Sequence, residues 1–187
     1  MTESATQLYG AEKFLKETKG RLFLDKECKH PFPIELEKNM RFFLVAVTSK
    51  STAPASKYFG RIAEGSSGTF MNIFLSDVKE TLDLPFSVGD INPNKTFVHV
   101  LDEVSLQLLL TELDTISDFV AYLKEKERVI RSGYLGLSPG EDDTLGAYLS
   151  GHGEIVDEKI VPDNTFVQIA EHEWEGLKKS SKYNYYK

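Results

Sequence analysis

Apolar positions keep their cleanest order between residues 97 and 131. Leu106, Leu109, Leu110 and Leu113 repeat at the i, i+3, i+4, i+7 spacing of one helix face. Ile116, Phe119, Val120, Leu123 and Ile130 supply a second stripe. Phe97 to Leu101 reads as a strand that runs into Asp102, a residue suited to an N-cap. Thr115 with Asp118 has the form of a capping box, and Gly133 suits a helix stop. The pattern admits two helices or one helix with a bend.

Elsewhere the periodicity is shorter. Gly10 to Lys19 predicts a short helix and Arg21 to Leu24 a brief strand, followed by an extended stretch around Pro31 and Pro33. Arg41 to Thr48, continuously apolar from Phe42 to Val47, predicts a strand buried on both faces, as at the centre of a sheet. Ser49 to Gly60 carries helix start and stop signals, and Thr69 to Leu75 predicts the next strand, with a loop from Ser76 to Lys95. SPGEDD reads as a loop ahead of a helix over Thr144 to Leu149, and Gly151-His152-Gly153 as a sharp turn. Glu154 to Val161 and Thr165 to Ala170 predict two strands, and Glu171 to Lys182 a final helix with Trp174 and Leu177 inward. This mixture predicts an α+β (or α/β) fold over residues 1–187: a mixed central sheet packed by helices, with an amphipathic helix pair at about 103–131.

Composition narrows the class. With 187 residues and 41% hydrophobic content the chain can bury a core in one domain. Its longest apolar runs are only a few residues, far short of the roughly 20 that span a bilayer. The start, MTESATQLYG, has neither the basic nor the apolar region of a secretory signal, so a cytoplasmic location is expected. Cys28 is the single cysteine, so a disulfide within the chain is excluded. The net charge of −7 is unevenly spread: residues 1–60 hold ten Lys and Arg against seven Asp and Glu, while residues 61–177 hold eight against twenty-two. An acidic middle of that size repels phosphate, so nucleic acid is not the expected partner. The last ten residues, KKSSKYNYYK, interleave four lysines with three tyrosines.

Candidate chemistry is sparse. Asp157 and Lys159 in EIVDEKIV have the Asp-x-Lys spacing of a metal-dependent nuclease strand, with Asp142 or Asp143 upstream as a second ligand. Mg2+ or Mn2+ would serve as cofactor under that reading alone; otherwise none is expected. The same spacing recurs at Glu17/Lys19, Glu27/Lys29 and Asp77/Lys79, as chance delivers in a chain with 27% charged residues. The carboxylates of Asp102, Glu103, Glu112, Asp114 and Asp118 cluster around the helix starts, where capping accounts for them. His30, His99, His152 and His172 never pair at i+3 or i+4, and His99 alternates on a strand as a structural, satisfied imidazole would. Ser66-Ser67 misses the Gly-x-Ser-x-Gly pattern, and Cys28 lies among Lys26, Lys29 and His30 as a surface thiol. The chain has no Gly-Lys-Ser/Thr element.

Two stretches, PFSVGDINPNKTFVHVLDEVSLQLLLTELDTISDFVAYLKEKE and EHEWEGLKKSSKY, carry a resemblance. In Val98 to Glu103 and Glu112 to Leu123 the chain resembles a group of uncharacterised bacterial proteins sharing an HVLDE…ELDTxxDFxxYL run. The resemblance implies a bacterial, cytoplasmic protein with further sequence beyond Lys187, and it carries over no catalytic residue. Together these features predict a non-catalytic interaction or regulatory domain whose partner is another protein or a further C-terminal domain. The alternative is a metal-dependent, nuclease-like enzyme of a defence system.

Overall fold

The computed structural model describes residues 2–17, 22–34, 36–37, 39–60, 69–74, 84–132, 135–156 and 166–183. The fold is α+β, with mixed strands packed by helices. The first helix, α1 (Thr2–Glu17), starts earlier than its apolar pattern predicts. Ala5, Leu8 and Tyr9, at i, i+3 and i+4, give the added turns an inward stripe, which packs on Leu44, Val98 and Val100.

Two parallel strands, β1 (Leu44–Thr48) and β4 (Val98–Asp102), pair in register from Leu44 with Val98 to Thr48 with Asp102. All five residues of β4 are buried. Its side chains alternate between two cores, Leu101 with the preceding Phe97 on one side, Val98 and Val100 on the other. The doubly buried strand is therefore β4 and not β1, contrary to the expectation from hydrophobicity alone. Among the described residues β1 pairs with β4 only, and Val47 is 49% exposed. Helix α2 (Thr52–Phe59) follows β1 and buries Ala55 and Phe59.

The mixed sheet has four strands in the order β3-β2-β5-β6, comprising β2 (Met71–Phe74), β3 (Ser87–Val88), β5 (Leu135–Ser138) and β6 (Phe166–Gln168). Strands β2 and β5 are antiparallel, and the outer pairings are parallel. Strand β5, LGLS, is too short to show a two-residue period, so the sequence pattern does not predict it. Glu154 to Val156 is not a strand; the rest of that expected strand lies outside the described residues, as does Gly133.

The run from Asp102 forms two helices, α3 (Glu103–Glu112) and α4 (Ile116–Arg131). Asp102 Oδ1 accepts from Val104 N and Ser105 N at 2.9 and 2.8 Å, which fixes the start of α3. Leu113 is extended, and Thr115 with Asp118 completes a reciprocal capping box that restarts the chain as α4. Leu109, Leu113, Leu123 and Ile130 then meet Leu145 and Trp174 in the main core. Those last two belong to α5 (Glu141–Ser150) and α6 (Glu173–Lys179).

Candidate functional site

Helix α5 begins at Glu141, so EDD forms its first turn and not the expected loop. Three consecutive acids suit that place, because free backbone N–H groups and the helix dipole both favour negative charge. More unusual is their burial: Glu141, Asp142 and Asp143 are all shielded from solvent. Each carboxylate has a different set of partners.

Glu141 is the hub. Its Oε1 accepts from Tyr122 Oη at 2.7 Å, while Oε2 accepts from Lys126 Nζ at 2.5 Å and Asn72 Nδ2 at 3.1 Å. The Lys126 and Glu141 side chains are each only 2% exposed. Asn72 Nδ2 also reaches Thr144 Oγ1 at 3.1 Å, and Thr144 donates towards Ser138 and Gly140. Burial and the neighbouring Glu141 charge hold the Tyr122 phenol well above its ordinary pKa, so it remains a donor. The network ties α4, α5 and β2 together. One oxygen, Asn72 Oδ1, has no hydrogen-bond partner among the described residues.

Asp142 Oδ1 accepts from Thr69 Oγ1 at 3.2 Å, and Asp143 Oδ1 accepts from Trp174 N at 3.3 Å at the start of α6. Burial, then repulsion from Asp142, raises the Asp143 pKa from 3.8 to about 6. A group with a raised native pKa holds its proton in the folded state after the unfolded chain has lost it. Stability therefore falls as pH rises from about 4 to about 6. Asp143→Asn keeps the acceptor oxygen and abolishes the titration. Urea midpoints should show the variant more stable than wild type at pH 7.5, on the order of 2 kcal/mol, with the difference vanishing at pH 4.

Sequence reasoning singled out Asp143 and missed Tyr122, Lys126 and Glu141. The signal for Lys126 was present. It occupies an inward position of the 119-122-123-126-130 stripe, where a lysine is out of place unless partnered. Asp157 and Lys159 lie outside the described residues, as do Ser66 and Ser67. Among the described residues no group of three or more His, Cys, Asp or Glu side chains is placed to hold a metal ion.

His99 lies in β4 between Phe97 and Phe43 and is 1% exposed. Among the described residues neither ring nitrogen has a hydrogen-bond partner, so the expected satisfied histidine is there an unsatisfied one. Burial first, then Lys126, Arg41 and Arg131, pulls its pKa down to about 2 and keeps the imidazole neutral. It packs as an aromatic ring.

On the surface, residues 22–34 form a closed turn. Leu24 N donates to His30 O and Phe32 N to Leu22 O, both at 2.8 Å. Asp25 accepts from Lys29 N, from His30 N and from the His30 ring, at 3.2, 2.7 and 3.0 Å. These bonds, that from Lys29 N foremost, hold the Asp25 carboxyl below its ordinary pKa. Phe23, Leu24, Phe32 and Ile34 are all exposed around the turn, Leu24 at 64% and Ile34 at 60%. Cys28 and His30 lie exposed at its tip, Cys28 with a positive φ of 56°. His152 and His172 are likewise exposed at positive φ.

No helix of the described residues is long and apolar enough to cross a membrane. No family model matches this chain, and comparison with curated proteins and with solved structures finds no significant match either.

Proposed function

We propose that this chain is an interaction domain that docks another protein through the turn at residues 22–34. One observation carries the reading: four large apolar side chains face solvent on a segment whose backbone is tied in place by Asp25. Apolar surface that is exposed and already ordered favours association, because it gains burial without a further ordering cost. The buried Lys126–Glu141 centre accords with a scaffold role, since its charges satisfy one another behind closed packing. The resemblance to bacterial proteins is consistent with a regulatory module working in the cytoplasm.

The test separates ordered recognition from mere stickiness. A photo-crosslinking amino acid is placed at Leu24, at Ile34 and, as a control, at the exposed Lys57 of α2. Discrete adducts from bacterial lysate are expected at the first two positions and not at the third. Asp25→Ala, which unties the turn but keeps every apolar side chain, should lower their yield at least fivefold. Equal adducts at Lys57, or indifference to Asp25→Ala, would contradict the reading. So would Mn2+ binding by calorimetry that is lost on Asp143→Asn, the outcome expected of a metal-dependent enzyme.

A further inference from the structure

A second surface has a different character. Where α3 meets α4, the end of α5 comes alongside and leaves a groove of about 290 Å³. Leu113, Tyr148 and Leu149 supply its apolar part, and Glu112, Asp114 and Asp118 set carboxylates around it. Asp114 is exposed and makes no hydrogen bond or ion pair among the described residues. Asp118 spends one oxygen on the capping box through Thr115 N and Oγ1, and it too is in no ion pair among the described residues. Beside these acids in sequence stand Leu110 and Ile116, exposed at 62% and 84%.

Glu112 already shows what this edge accepts. Tyr183, from the lysine- and tyrosine-rich end of the chain, donates its phenol to Glu112 Oε2 at 2.8 Å and rests edge-on against Trp174. The groove thus joins apolar walls to several negative charges and engages an aromatic phenol at its rim.

We infer that this groove docks a basic segment of a partner protein, with a tyrosine or similar aromatic anchor seated between lysines or arginines. The inference rests on the interaction-domain reading and adds a second face with a defined partner chemistry. Charge complementarity supplies the choice of occupant. Asp114 and Asp118 are in no ion pair among the described residues, and the half-buried Leu149 beside the edges of Leu113 and Tyr148 offers an aromatic ring a small apolar seat. Tyr183 competes in cis for Glu112, so its hydroxyl weakens partner binding.

The probe is a synthetic fluorescent peptide, KKSSKYNYYK, measured by anisotropy against the whole chain in 50 and 200 mM salt. Micromolar binding that weakens with salt is expected. Asp114→Lys, at an exposed position with no hydrogen bond or ion pair among the described residues, should weaken it at least tenfold. Replacing the peptide's tyrosines by serine should do the same. Tyr183→Phe removes the phenol's bond to Glu112 Oε2 while keeping the ring against Trp174, and should tighten binding about threefold, a net hydrogen bond's worth. Binding unchanged by Asp114→Lys would mean diffuse attraction to an acidic protein and would overturn the inference. So would absent peptide binding, including the case where the chain instead pairs with itself in a manner lost on Asp114→Lys. None of these outcomes touches the crosslinks at Leu24 and Ile34, so the groove and the interaction-domain reading fail separately.

Discussion

Lys126→Ala should cost about 3–5 kcal/mol of folding stability, the range found when one member of a buried ion pair is removed and the other remains. The reason is specific to Glu141. Its carboxylate lies behind closed packing, and losing Lys126 leaves a buried negative charge with only Tyr122 and Asn72 as donors among the described residues. Removing both charges with Lys126→Met and Glu141→Leu should recover part of the loss. It leaves the Tyr122 hydroxyl without its acceptor, a penalty of roughly 1–3 kcal/mol. Adding Tyr122→Phe should recover most of the remainder, since three apolar side chains then fill the space of a satisfied polar triad. Urea denaturation of the single, double and triple variants measures each step. A triple variant no more stable than Lys126→Ala would show that the network contributes more than mutual satisfaction.

Gly146→Ala is the second large effect. A Cβ at Gly146 would lie 2.7 Å from Trp174 N and 2.9 Å from Glu173 C, both backbone atoms of α6. No rotamer change relieves a clash with backbone, so α5 and α6 must part. The expected loss is about 3 kcal/mol, at the upper end of the range for overpacking. Trp174 is the only tryptophan, so the change has a local reporter. Its emission should shift to the red in the native state as the indole loses its buried seat. Gly176→Ala in α6 provides the control. A Cβ there meets nothing within 4 Å, and alanine should add roughly 0.5–1 kcal/mol through helix propensity. Loss of stability at both positions, or at neither, would contradict the packing described here.

The helix pair and its caps were legible because capping and amphipathic spacing are local, although Leu110 and Ile116 of the expected stripes face solvent at 62% and 84%. Asp102, Thr115 and Asp118 act within three residues of one another's backbone, and the structure has them where the pattern puts them. The α+β class was legible for a similar reason. What the sequence conceals depends on partners far along the chain. Glu141 meets Asn72 and Lys126, 69 and 15 residues away, and no local period marks that meeting. Strand β5 takes its extended form from pairing with β2 and β6 on either side, not from its own residues. The apolar run at β1 misled because hydrophobicity measures what can be buried and not which strand lies between two cores. At residues 22–34 the sequence pattern predicts a brief strand and an extended connection, where the structure has a closed turn. Asp25 closes it through bonds to Lys29 and His30, and the exposure of its apolar side chains follows from that closure.

The proposed function makes the buried charges scaffold and the turn at residues 22–34 the working surface. Both halves meet in one measurement, the crosslink yield at Ile34 in three backgrounds. Wild type and the triple variant Tyr122→Phe/Lys126→Met/Glu141→Leu should give equal adduct, while Asp25→Ala should lose most of it. A folded triple variant that fails to crosslink, or an Asp25→Ala protein that crosslinks fully, would contradict the account.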